Sequence, residues 1–282
     1  MKRPFSRFIG VDLGGGRGKT TAVAELRIAK AGGLGVEVME VATRAGKLPW
    51  TDDTLMGRLA VPDADRVIAI DAPLTQPACT RCERPVCPGT EACEDPSVVW
   101  LRTEGRALVQ KVAEQVVEGH HTIAVRGAVP QARLAPYAHR ATDVVMTYQR
   151  GFLPLSQLGA ANSAITARAG QLRKRLRGAG YQLHGNLLEV SPAATIAALC
   201  GPRASRGYKR DADAWVTRAH VVEKLADLSF APQSRMARED VLRNDHCFDA
   251  VISAYTAYLW ARDGWEVPTE VVAEDGWIFS PP

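Results

Sequence analysis

No apolar run in this sequence approaches the roughly 20 residues that a membrane-spanning helix needs, so a helical membrane protein is not expected. Aromatic residues are scarce, at 6 %, and form no stripe on which single-stranded bases could stack. Internal repeats and low-complexity linkers are lacking too, which leaves no sign of a solenoid or a fibre. The opening "MKRPFSRF" runs directly into a strand-like segment without the pattern of a secretory signal, which points to the cytoplasm. Neither sign of charge dominates: 35 Lys and Arg against 31 Asp and Glu leave a net charge of +4, compatible with a nucleic-acid partner without requiring one. What is there, 46 % hydrophobic and 23 % charged residues over 282 positions, describes a globular chain able to bury one large core or two smaller ones.

The order of elements reads as α/β. "RFIGVDLGG" (7–15), "TTAVAELRIA" (20–29) and "GVEVMEVATRA" (35–45) are strand-length apolar segments joined by glycine-rich turns, which predicts an antiparallel meander. "TDDTLMGRLA" (51–60) reads as a short helix capped by Thr or Asp, and "RVIAIDAPL" (66–74) as a strand ended by Pro73. A helix is expected within 97–119, a strand over 121–129, and mainly helix over 136–180. "NLLEVSPAATIAALCG" (186–201) reads as a strand through Glu189 and then a helix opened near Pro192. Helices are expected over 211–230 and, longest of all, over 238–264.

The stretch "VDLGGGRGKTT" (11–21) has the Gly18-Lys19-Thr20 ending of a phosphate-cradling loop, but its first glycine should stand at Leu13. Counted from Gly14 the loop is one residue short, and the break before the third segment favours a hairpin.

Four of the six cysteines, Cys79, Cys82, Cys87 and Cys93, fall within fifteen residues of a Pro-rich segment at 75–96, with two, four and five residues between them. Such a cluster in a cytoplasmic chain points to a metal or cluster site. Only Cys79/Cys82 forms a zinc-type knuckle, and varied spacing with Pro88 beside a cysteine leans to [4Fe–4S], with Zn²⁺ as the alternative. The expected role is a clamp on the loop after Asp71; a redox- or substrate-sensing element is the other reading.

Asp12, Asp71 and Glu189 each follow an apolar strand-like run and precede a glycine or proline that stops it. Burying one such acid suits a cap, but three of them, joined by Asp245 and Asp249 on the late helix, favour a shared site. The i,i+4 spacing sets Asp245 and Asp249 on one helical face, with His246 close to it. Hard cations such as Mg²⁺ or Mn²⁺ prefer these oxygens, and two of them can drive phosphodiester cleavage. A basic strip of Arg168, Arg173, Lys174, Arg175 and Arg177 offers a phosphate track, alongside Lys19 and Arg17 of the first turn.

The sequence of a Gly-Val-Asp strand, an Ile-Asp-Ala-Pro strand, a Leu-Glu-Val-x-Pro-Ala-Ala segment and an Asp-x-x-x-Asp-Ala helix resembles the domain of unknown function family 429, regarded as nucleases of the ribonuclease H-like fold. "RGYK" (206–209) and "EDGWIFSP" (274–281) are similar to that family as well, and the likeness runs from Phe8 to about Trp277. It implies one ribonuclease H-like domain over 1–282, a mixed sheet with an antiparallel meander followed by parallel strands and flanked by helices, carrying a Cys-rich insertion at 75–96 and a helical basic insertion at 136–180. By the same resemblance Asp12 lies on the first strand, Asp71 on the fourth, and Asp249, with Asp245 or His246, on the last helix.

The expectation is therefore a two-metal nuclease acting on DNA or RNA. Two other classes stand beside it. "VDLGG" also resembles the first phosphate loop of actin-like and sugar kinases, which suggests a nucleotide phosphohydrolase. A non-catalytic nucleic-acid-binding or redox-sensing protein would use the cysteines and basic helices and keep its acids for structure.

Overall fold

The computed structural model describes residues 2–15, 20–29, 35–61, 64–117, 134–154, 162–232, 234, 236–268 and 273–282. They gather into two compact units, one of residues 1–72, 164–266 and 279–282, the other of 73–163 and 267–278. The expected strand at 121–129, with Arg17 and Lys19, lies outside the described residues.

The strands are β1 (Arg7–Asp12), β2 (Ala22–Ile28), β3 (Val36–Ala42), the small pair β4 (Arg44–Ala45) and β5 (Leu48–Pro49), then β6 (Arg66–Asp71), β7 (Leu187–Val190), β8 (Leu228–Phe230) and β9 (Ile278–Phe279). Apart from β4 and β5, which pair with each other, they form one seven-stranded sheet in the order β8-β3-β2-β1-β6-β7-β9. The predicted meander is present, β1 antiparallel to β2 and β2 to β3, while β6 joins β1, β7 joins β6 and β8 joins β3 in parallel. Because the chain returns after β1 as a strand from Ala22, no helix follows Thr20, and a phosphate-binding loop of the Gly-Lys-Thr kind is ruled out. The central strands β1 and β6 read as continuous apolar runs because both faces are covered.

The helices are α1 (Asp52–Leu59), α2 (Pro96–Trp100), which runs through a π-helical turn at Leu101–Gly105 into α3 (Arg106–Val117), α4 (Ala141–Tyr148), α5 (Ser163–Gly178), α6 (Pro192–Cys200), α7 (Pro202–Arg210), α8 (Ala214–Lys224), α9 (Arg238–Arg243) and α10 (Asp245–Asp263). Thr51 caps α1 by accepting from the Thr54 N–H, and Pro192 opens α6, both as expected.

Two expectations are corrected. The helix read over 211–230 stops at Lys224, and Leu228–Phe230 becomes β8, because the free edge of β3 offers it backbone hydrogen bonds. The helix read over 238–264 is two helices broken at Asn244, whose backbone is extended and whose side chain accepts from the Cys247 N–H at 3.1 Å. A short amide that bonds its own backbone ends one helix and caps the next.

Helix α10 is the axis of the first unit. Every residue from Cys247 to Ala261 is buried, so the helix is covered all round and has no solvent stripe. It lies against β1 at Gly10, where an added Cβ would stand 1.9 Å from the Ala250 carbonyl oxygen and 2.4 Å from the Ala254 nitrogen. Only a residue without a side chain permits that approach, and it fixes the register of α10 along the strand.

In the second unit, Asp95 caps α2 by accepting from the N–H groups of Ser97 and Val98. A buried polar network follows: Arg140 donates to Asp143 and to Thr75 Oγ1 (2.6 Å), and Asp275 accepts from Arg81 (2.6 Å) and from the Ala141 N–H (2.8 Å). Paired in this way, the buried charges of the unit are consistent with a structural role.

Candidate metal centre

The site begins with register. In the parallel pair β1 and β6, Asp12 stands opposite Asp71, so both carboxylates leave the strand ends on the same face of the sheet. The contact of α10 at Gly10 then brings Asp249, one residue before Ala250, to them. Asp12, Asp71 and Asp249 each offer an oxygen, and these atoms all lie within 4.8 Å of one another. Asp12 and Asp249 are buried, and Asp71 keeps some exposure.

Three carboxylates this close repel, and little in the chain offsets them. Lys209 of α7 makes an ion pair with Asp249 Oδ2, and the Tyr208 hydroxyl faces the same carboxylate. Even so, both Asp249 oxygens are buried without a well-formed hydrogen bond. Burial raises the Asp249 carboxyl above the ordinary range; Lys209 opposes this and Asp12 adds to it. Burial also raises Asp71, reinforced by the charges of Asp249 and Asp12. Under-satisfied buried acids with an all-oxygen donor set fit a hard divalent cation, which would replace both the lost water and the missing positive charge.

His246, in the first turn of α10, lies with Nδ1 2.6 Å from Asp12 Oδ2. That hydrogen bond raises its pKa, with burial acting the other way. Asp245 accepts from the His246 N–H and stays outside the group of three. Glu189 pairs with Ile70 in the ladder, one residue out of phase with Asp71, so its side chain leaves the opposite face of the sheet. From there its charge adds only weakly to the upward shift of Asp71.

The sequence reading had no role for Lys209 and Tyr208, although "RGYK" was among the stretches that carried the resemblance. Their placement depends on Arg218, a buried guanidinium in α8 that donates to the carbonyls of Tyr208 (2.6 Å) and Leu242 (2.5 Å). It ties the end of α7 to the end of α9, just ahead of the helix that carries Asp249.

The basic strip lies on α5 and divides. Arg168 turns inward and donates to Asp52 (2.6 Å), Gly14 O (2.6 Å), Thr21 Oγ1 (2.9 Å) and Trp50 O (3.0 Å). Arg175 reaches Asp53 at 2.9 Å, Arg173 is half-buried near His184, and Lys174 and Arg177 are exposed. Cys79, Cys82 and Cys87 are exposed free thiols, and Cys93 is partly covered.

A family model described as "Protein of unknown function (DUF429)" matches residues 10–273, nearly the whole chain. The chain belongs to that family. No curated protein and no solved structure matches it.

Proposed function

Proceeding from that membership, we propose that this chain is a metal-dependent nuclease of ribonuclease H-like architecture that hydrolyses phosphodiester bonds in nucleic acid. The observation that carries the reading is the meeting of Asp12, Asp71 and Asp249 with their oxygens within 4.8 Å. The strand order supports it, since an antiparallel meander followed by parallel strands is what the resemblance implies. Mg²⁺ or Mn²⁺ held by these three carboxylates would supply an activated water and charge stabilisation at the leaving oxygen.

The chain's own residues prepare that chemistry. Asp249 is fixed by the seating of α10 on β1, and Asp12 is oriented by His246 Nδ1. Lys209 offsets one negative charge beside Asp249. The partly exposed His246 ring is placed to exchange a proton with solvent near Asp12. Lys174 and Arg177, both exposed, are the residues of the strip open to backbone phosphates.

The test is cleavage of single-stranded, duplex, hybrid and branched nucleic acids with Mg²⁺ or Mn²⁺, using wild type and the Asp12→Asn, Asp71→Asn and Asp249→Asn variants. Wild type should cleave at least one substrate class and each variant should be inactive, while His246→Ala should lose about 10- to 100-fold. Cleavage that survives all three Asp changes, or metal-loaded wild type that cleaves nothing, overturns the proposal.

A further inference from the structure

The segment from Cys79 to Glu94 holds its course with almost none of the usual means. After a single 3₁₀ turn at Ala78–Thr80 it has no helix or strand, and most of its residues are exposed, Val86 at 77 %. Its two ends are fastened. The Cys79 N–H donates to Pro136 O at 3.0 Å, and Arg102 Nη1 gathers the carbonyls of Thr90 (2.8 Å), Glu91 (2.8 Å) and Cys93 (3.1 Å). The middle, with Cys82 and Cys87, has no apolar burial to set its shape. A loop of this length without internal structure needs another constraint.

The thiols supply the means. All four are free thiols, and with Cys79 and Cys93 fastened at the two ends of a fifteen-residue loop, Cys82 and Cys87 lie on the stretch between them. At Cys87-Pro88-Gly89 the chain turns back with Gly89 at φ +85°, and the Gly89 N–H points at Cys87 Sγ, 3.4 Å away. An amide aimed at sulfur steadies a thiolate more than a neutral thiol. We propose that Cys79, Cys82, Cys87 and Cys93 are the four ligands of a thiolate-bound metal centre, zinc or a [4Fe–4S] cluster, that sets the course of residues 79–94. On binding, each Sγ–H bond is replaced by an Sγ–metal bond and the proton passes to solvent. Soft thiolates and hard carboxylates select different metals, so this centre is chemically separate from the acid site and independent of the nuclease reading.

The experiment uses the full chain, purified anaerobically and again after supply of Zn²⁺, or of equal amounts of Fe²⁺ and Fe³⁺ with sulfide. Elemental analysis, visible absorption and proteolysis within 79–94 are compared for wild type, Cys82→Ser/Cys87→Ser and the control Cys200→Ser. Wild type and the control should hold one colourless zinc or one coloured four-iron cluster per chain, the two absorptions telling the metals apart. The double variant should lose the metal and be cut in this segment at least about tenfold faster, while its Mg²⁺-dependent thermal shift stays that of wild type. Metal retained by the double variant overturns the proposal. So does a supplied wild-type chain that holds no thiolate-bound metal, or a mass shift showing the cysteines paired as disulfides.

Discussion

Glu25 sits in the middle of β2 among three guanidinium groups, whereas Asp249, on α10, shares its surroundings with two other carboxylates and one ammonium. Both side chains are withdrawn from water and belong to the same unit. Burial pushes the Glu25 carboxyl up, but hydrogen bonds from Arg58 and Arg27 and the charges of Arg58 and Arg7 bring it down to about 2. For Asp249 burial wins and the carboxyl is raised. A buried acid with matched donors completes the fold, while one left short of donors beside other acids is disposed to take up a cation.

Removing the close approach on which Asp249 depends should have the largest effect. Gly10→Ala places a methyl against the α10 backbone and should destabilise the protein by about 3 kcal/mol or more, since backbone cannot yield as a side chain can. Thermal unfolding should show the loss, and Mg²⁺ should no longer raise the midpoint. A variant as stable and as Mg²⁺-responsive as wild type would break the link between this contact and the site.

Neutralising the two acids should then give changes of opposite sign. In chelator at neutral pH, Glu25→Gln should cost about 2 kcal/mol by removing the buried negative charge that three arginines share. Asp249→Asn should stabilise the metal-free protein by roughly 1 kcal/mol by relieving repulsion. Destabilisation of similar size in both would erase the contrast.

The pH dependence sharpens the same point. The native Glu25 pKa is depressed, so its contribution is present above the ordinary Glu value of about 4.3 and is lost as the pH falls through about 2. The native Asp249 pKa is raised, so its contribution is present below the ordinary Asp value of about 3.9 and is lost as the pH rises through the native value. Melting curves should show the Glu25→Gln deficit shrinking towards acid pH and the Asp249→Asn advantage growing towards alkaline pH.

The smallest effect belongs to the surface. Arg175 pairs with Asp53, whose side chain is 88 % exposed, and Arg175→Ala should change stability by no more than about 0.5 kcal/mol. Any effect on nucleic-acid affinity would then report phosphate contact and should fade with salt.

Much of the site was legible because each acid interrupts a strong local pattern. Asp12 and Asp71 end apolar runs that could only be core strands, and the runs stop at glycine and proline. Asp249 was legible as part of a helical face, but its neighbour there, Asp245, is not what it meets in space; its partners come from β1 and β6. Glu189 shares the local pattern of Asp12 and Asp71, yet a one-residue phase difference in the ladder sends it to the other face. Strand β8 was hidden because three residues carry no period, and its partner β3 lies far earlier in the chain. Lys209 was hidden because a lysine near a helix end reads as solvated until Arg218 and α10 are in place.

By itself the sequence determined most of the strand runs, the glycine-rich break that favours a hairpin over a phosphate loop, and the acids at the strand ends. These follow from short-range sterics and from the cost of burying charge, which act over a few residues. Tertiary structure decided which acids meet, which cations are already spent and which carboxylate is left short of partners. Those outcomes depend on strand register and on the seating of α10, and each is set by contacts between residues far apart in the chain.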